Sequence, residues 1–285
     1  MLKLSSVATV NSIFWITSLR PNERGTTQRV HDDLLPYLNS IGLPLQEFNP
    51  QSASELLAML DAIARAATSG TRPIIHFDTH GNATHGIWIA ASGEFVSWIH
   101  LIDKMRAINI ATQNNLCVVS AACFSLNAIR PLKITQPCPF LMLIAPEQEV
   151  SFGFIEDSTF GFYQDLFAGS DITTAFENNL VPALKIFHSE RMLAISLTRY
   201  IRDSCIGKGG DRRRKDLLTK ALSGGIPNNR HNKRMIRKAA KAMTKPTQRL
   251  IDGYAATFLI GRKVEYTISD LEALARGALA EQSRT

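Results

Sequence analysis

The sequence is poor in cysteine: four thiols in 285 residues, Cys117, Cys123, Cys138 and Cys205, none of them in a CxxC pair. A disulfide framework is excluded, and reduced thiols are expected. Long apolar runs are also missing. The longest, from Pro139 to Pro146, is closed by proline at both ends and falls far short of the ~18 residues a membrane helix needs. The N-terminal apolar stretch is broken by Ser5, Ser6, Thr9, Asn11 and Ser12, with no signal-type cleavage site behind it, so a cytoplasmic location is expected. GKGG at Gly207 to Gly210 lacks the frame of a phosphate loop. No internal repeat or extended low-complexity tract occurs.

What is present is an ordinary globular composition, with 45% hydrophobic and 20% charged residues and a mean hydropathy of −0.03, which excludes disorder. The length accommodates one large α/β domain or two smaller ones. Lys and Arg total 32 against 25 Asp and Glu, but the excess is local. Lys208 to Arg249 holds 14 cations and two aspartates, and the remainder is net acidic. Such a block suits nucleic acid or an acidic partner, although a solvated basic helical face has the same composition.

Apolar runs rich in β-branched residues predict strands at Ser12 to Leu19, Leu43 to Phe48, Pro73 to Gly81, Asn115 to Cys123, Phe140 to Ala145 and Ala183 to Phe187. Helical spacing predicts helices at Thr26 to Ile41, Ser52 to Ser69, Trp98 to Ala111, Phe160 to Ala168 and Ile172 to Leu180, with a hairpin around Ser92-Gly93. Strands this continuous in apolar residues are buried on both faces. The expected fold is therefore a three-layer α/β/α sandwich around a mostly parallel six-stranded sheet, followed by a basic, mostly helical C-terminal extension. The boundary is expected near Gly207, giving domains 1–206 and 207–285, with GKGGDRRRKD as a flexible linker.

In open α/β sheets ligands bind beyond the carboxyl ends of the strands. Two predicted strands end there in reactive residues: one in His80-Gly81, the other in Ala121-Ala122-Cys123. If the strands adjoin, a thiol nucleophile stands beside a base. Gly81 permits close backbone approach, and its amide with that of Cys123 forms a candidate oxyanion hole.

These two blocks, HFDTHG and NLCVVSAACFS, resemble the His-Gly and Ala-Cys motifs of caspase-like (caspase-hemoglobinase-fold) cysteine peptidases, especially the CHAT branch that includes separase. Their separation, 43 residues between His80 and Cys123, is close to the ~50 typical of caspases. The later run IAPEQEVSFGFIEDSTFGFYQDLFAGSDITTAFEN is similar to the segment after the nucleophile in CHAT domains, so the resemblance spans roughly Ser12 to Cys205. Phe124-Ser125 replaces the Arg/Gln-Gly of the caspase pentapeptide, so aspartate specificity is not implied. The resemblance implies a thiol endopeptidase with a Cys123–His80 dyad that needs no metal or cofactor. Asp78, on the same strand face, is expected to orient the imidazole or line the cleft. Glu147, Glu149 and Asp157 are candidate acidic residues of a pocket for a basic side chain. Activation by a sensor or partner protein is implied, as is a role in antiviral defence with a protein substrate such as a gasdermin-like pore former. The arginine run of the linker is a candidate autoprocessing site.

Two other readings use the same residues. One is a catalytically degenerate adaptor that binds nucleic acid or protein through Lys208 to Arg249. The other is a metal hydrolase built on His76, Asp78, His80 and His85, since alternate strand residues share a face. Cys117 and His76 are expected to be core residues.

Overall fold

A computed structural model describes residues 2–5 and 7–282. The chain packs as two compact units: Ser6–Ser189 with Thr257–Arg262, and Met1–Ser5 with Glu190–Ala256 and Lys263–Thr285.

The larger unit is mixed α/β. In chain order it holds β1 (Ser12–Ser18), α1 (Arg24–Ser40), β2 (Leu45–Phe48), α2 (Ala53–Thr68), β3 (Pro73–Thr79), β4 (Gly81–Asn82), β5 (Gly86–Trp88) and β6 (Phe95–Val96). There follow α3 (Trp98–Ala111), β7 (Cys117–Ser120), β8 (Met142–Pro146), α4 (Phe152–Phe167), α5 (Ile172–Asn179) and β9 (Leu184–His188). Six strands form one sheet in the order β2-β1-β3-β7-β8-β9. All neighbours pair in parallel except β8 and β9, which are antiparallel. Strands β4, β5 and β6 make a separate small antiparallel sheet.

Every residue of β1, β3, β7 and β8 is buried, as parallel strands covered on both faces require. On one face Ile13, Trp15, Ile74, Cys117, Val119 and Ile144 pack with Leu34 and Leu38 of α1 and with Ile155, Phe162 and Tyr163 of α4. On the other, Phe77, Val118 and Leu143 line a small cavity with Trp98, Leu101, Ile102 and Met105 of α3. Helices thus cover both faces, an arrangement compatible with a three-layer α/β/α sandwich. Short polar side chains begin four of the helices: Ser52, Ser97, Ser151 and Asp171 each accept a backbone N–H of the first turn.

The smaller unit is helical, with α7 (Gly207–Ser223), α8 (Arg230–Thr244) and α10 (Ile268–Gln282). Helices α6 (Ser189–Ser204) and α9 (Gln248–Phe258) span the divisions between the units. The expectation of a flexible linker at GKGGDRRRKD is corrected here, because this segment opens α7. Its glycines serve close packing: a Cβ at Gly209 would overlap the Asp203 carbonyl, and one at Gly210 would lie 2.5 Å from the Cys205 oxygen. A helical, closely packed segment is also a poor place for autoprocessing. The division between the packed units falls between Ser189 and Glu190. Among the described residues no helix is long and apolar enough to cross a membrane.

Candidate active site at the carboxyl edge of the sheet

Strands β3 and β7 are neighbours, paired from Ile74 with Cys117 to Phe77 with Ser120. The Ala121 N–H continues the pairing by donating to the Phe77 oxygen at 2.8 Å. Beyond this point the two chains remain in contact. A Cβ placed on Gly81 would overlap the carbonyl oxygen of Cys123 and come within 3.1 Å of its nitrogen. Only glycine tolerates that approach, and it sets His80 and Cys123 on adjoining backbones. Further along, the Asn127 amide donates to the Ala83 oxygen at 3.0 Å, tying the two loops together.

Cys123 is half-buried, unlike the other three thiols, which are buried. It leaves the sheet through a sharp turn, because Phe124 adopts a left-handed conformation with φ of +61°. A bulky residue there costs roughly 1–3 kcal/mol, and such strain clusters at functional sites. The Phe124 N–H donates to the Gln148 oxygen at 3.2 Å, and a 3-10 turn follows over Ser125–Ile129. The Val150 N–H points to the Cys123 sulfur at 3.5 Å. Among the described residues the Cys123 N–H has no acceptor. Trp88 donates to the His80 oxygen, which makes Gly81 and Ile87 a non-hydrogen-bonded pair of the β4–β5 ladder and leaves the Gly81 N–H outside it.

His80 follows β3 directly, its side chain about one third exposed. Its Nε2 lies 2.9 Å from Oε2 of Glu23; the carboxylate accepts, so Nε2 carries the proton and Nδ1 is the ring nitrogen free to exchange one with a thiol. Trp88 and Phe152 hold the ring, at centroid distances of 5.7 and 5.8 Å. Glu23 caps the turn between β1 and α1, and its carboxylate also accepts the Arg20 N–H at 2.9 Å. Burial alone would push the Glu23 carboxyl up. The hydrogen bonds from His80 and the Arg20 amide, with the charges of both residues, outweigh it and hold the carboxyl below the usual range. Among the described residues no hydrogen bond joins His80 to the Cys123 sulfur; catalytic pairs of this kind commonly close only around substrate.

The expectation that Asp78 orients the imidazole is corrected: Glu23 occupies that position. Asp78 is buried within β3 with Oδ2 unpartnered, and burial pushes its carboxyl up to about 7 against the opposing pull of Thr27. Glu147 and Glu149 are exposed on the loop whose Gln148 and Val150 hold Phe124 and Cys123. Asp157 is exposed on α4, five residues beyond Phe152. His76 is sealed in the core, stacked on Trp15 at 3.7 Å with Nδ1 2.9 Å from the Tyr163 hydroxyl, and His85 lies in the β4–β5 turn against Asn82. Among the described residues no three His, Cys, Asp or Glu side chains form a group suited to a metal ion.

Sequence alone points to Trp88 as core or cleft wall but not to Glu23, Phe152 or Val150. Glu23 was accessible to the rule that selected His80 and Cys123: it follows a strand that pairs with β3, at the same edge of the sheet. No protein-family model and no curated protein matches the sequence.

Proposed function

We propose that the chain is a cysteine peptidase of the caspase-like, CHAT type, with Cys123 as nucleophile, His80 as general acid and base, and Glu23 as the residue that positions His80. The observation that carries this reading is the approach of Gly81 to the Cys123 carbonyl, which leaves an imidazole and a half-exposed thiol on adjoining backbones at the ligand-binding edge of a parallel sheet. Nδ1 of His80 takes the thiol proton as sulfur attacks the scissile carbonyl carbon. The amides of Cys123 and Gly81 bind the oxyanion. Collapse of the tetrahedral species passes the proton to the leaving amine, giving a thioester, and His80 then activates water to release the acid and regenerate the thiol. Glu23 stabilises the imidazolium at each stage.

Within this proposal the substrate is a protein, and a sensor or partner protein switches the enzyme on, as the CHAT resemblance implies. The basic helical extension serves partner binding rather than chemistry. The test is a peptide library digested with the purified protein, with new termini identified by mass spectrometry. New termini that disappear in Cys123→Ala and His80→Ala are expected. Cleavage that persists in Cys123→Ala and stops with a chelator would replace the proposal with a metal hydrolase.

A further inference from the structure

Helix α8 presents a row of cations that form no salt bridge among the described residues. Arg230, Arg234, Arg237 and Lys241 follow the i, i+4, i+7, i+11 spacing that aligns side chains along one helical face, flanked by Lys238 and by Lys245 beyond the last turn. All six are exposed. Among the described residues none forms a salt bridge, although acidic partners engage Arg202, Arg214 and Arg276 in the same unit. The helix is anchored by buried Ala240 and Thr244, which border the cationic row, with the Thr244 hydroxyl accepting from Arg214 at 3.4 Å. The cationic row stays exposed along its length at a fixed spacing, and it runs about 16 Å, roughly half a turn of B-form duplex.

We propose that this face of α8 binds the phosphate backbone of duplex DNA without sequence preference. Charge complementarity selects a polyanion. The segment from Gly207 to Thr244 contains no Phe, Tyr or Trp, so it lacks the stacking platform that single-stranded nucleic acid uses. The major groove of B-DNA admits an α-helix, whereas that of A-form RNA is too deep and narrow for side chains to read. A membrane-surface helix needs a broad exposed apolar face. In α8 the exposed apolar side chains are Met235, Ala239, Ala242 and Met243, off the cationic row; only the two methionines are large, and the face has none of the exposed Trp, Phe or Leu side chains that such helices insert.

The experiment is fluorescence anisotropy of the full-length chain with a labelled mixed-sequence 20-base-pair duplex between 50 and 200 mM salt. With four to five phosphates neutralised, the log-log salt slope is expected near −4. The triple variant R234A/R237A/K241A is expected to weaken binding at least tenfold and to flatten the slope by about 2.7, from about 0.9 per lost contact. R234K/R237K, M235A/M243A and Cys123→Ala should all bind as the native chain does. Absence of binding at 50 mM salt overturns the proposal, as does binding that the triple variant leaves unchanged. Binding to phosphatidylserine vesicles that is lost in M235A/M243A, without duplex binding, would assign the helix to a lipid surface instead. Because binding does not depend on Cys123, its failure is separable from failure of the peptidase proposal.

Discussion

Strands β3 and β7 each carry one residue type twice, once inside the sheet and once at its carboxyl edge. Inside, His76 stacks flat on Trp15, and burial drives its imidazole down to about 3, so it is a neutral core residue. Burial likewise pushes the Cys117 thiol up to about 12, with Arg262 pulling weakly the other way. Four residues along β3, His80 is partly exposed and meets a carboxylate; six along β7, Cys123 is half-exposed at a strained turn. Identical functional groups are inert where the strand is covered on both faces and available where it ends.

The comparison is broken most severely by disturbing the edge itself. Gly81→Ala forces the Cys123 carbonyl to move, so cleavage or thiol labelling is expected to fall more than about a hundredfold, since small misplacements of a reacting group carry costs of that size. The matched inner change, Cys117→Ala, is expected to leave activity intact and to cost about 1 kcal/mol in urea unfolding. A Gly81→Ala protein of undiminished rate would show that the contact does not align the dyad.

Glu23→Gln keeps a hydrogen-bonding side chain but removes the charge that stabilises the imidazolium. The rate of covalent modification by a peptide-directed electrophile is expected to fall roughly a hundredfold, at the low end of what general acid–base assistance contributes, while reversible affinity for the peptide portion stays unchanged. Loss of affinity with the rate preserved would make Glu23 a wall of the cleft rather than a positioning residue.

The interior yields an effect of another kind, one of pH and stability rather than of rate. Folded Asp78 keeps its proton up to about pH 7, whereas the unfolded carboxyl loses it near 3.8, so its contribution is fully present below about pH 4 and is lost as pH rises through 7. His76 acts in the opposite sense: folded it stays neutral down to about 3, unfolded it protonates below about 6.5, so it destabilises the fold increasingly as pH falls through that window. The two slopes oppose each other between about pH 4 and 6.5. Asp78→Asn removes one of them, so the variant should gain stability over the native chain as pH rises from 4 to 7, by up to about 1.4 kcal/mol per pH unit. Urea titrations across that range measure it; a difference independent of pH would mean that Asp78 is ionised in the fold.

Much of this architecture was legible in the residues. Continuous apolar runs located β1, β3 and β8, and α3 spans Trp98–Ala111 as its spacing predicts. His80 and Cys123 stood out because each follows an apolar strand with a small residue beside it. Glu23 was hidden because its partner lies 57 positions away and RPNER reads locally as an exposed turn. The strain at Phe124 has no sequence signal, since glycine or asparagine ordinarily marks a left-handed residue. The antiparallel direction of β9 was equally hidden: apolar periodicity reports burial, not strand polarity. GKGG misled because glycine's common role in linkers concealed its other role, close backbone packing.

The central claim, that the edge pair and not the inner pair is reactive, is tested most directly by site-resolved labelling. The protein is treated with a limiting peptide-based thiol electrophile, and modification at Cys117, Cys123, Cys138 and Cys205 is quantified by peptide mapping in native and His80→Ala chains. The expected result is modification confined to Cys123 and slowed at least tenfold without His80. Equal rates in the two chains, or labelling spread over the other thiols, would contradict it.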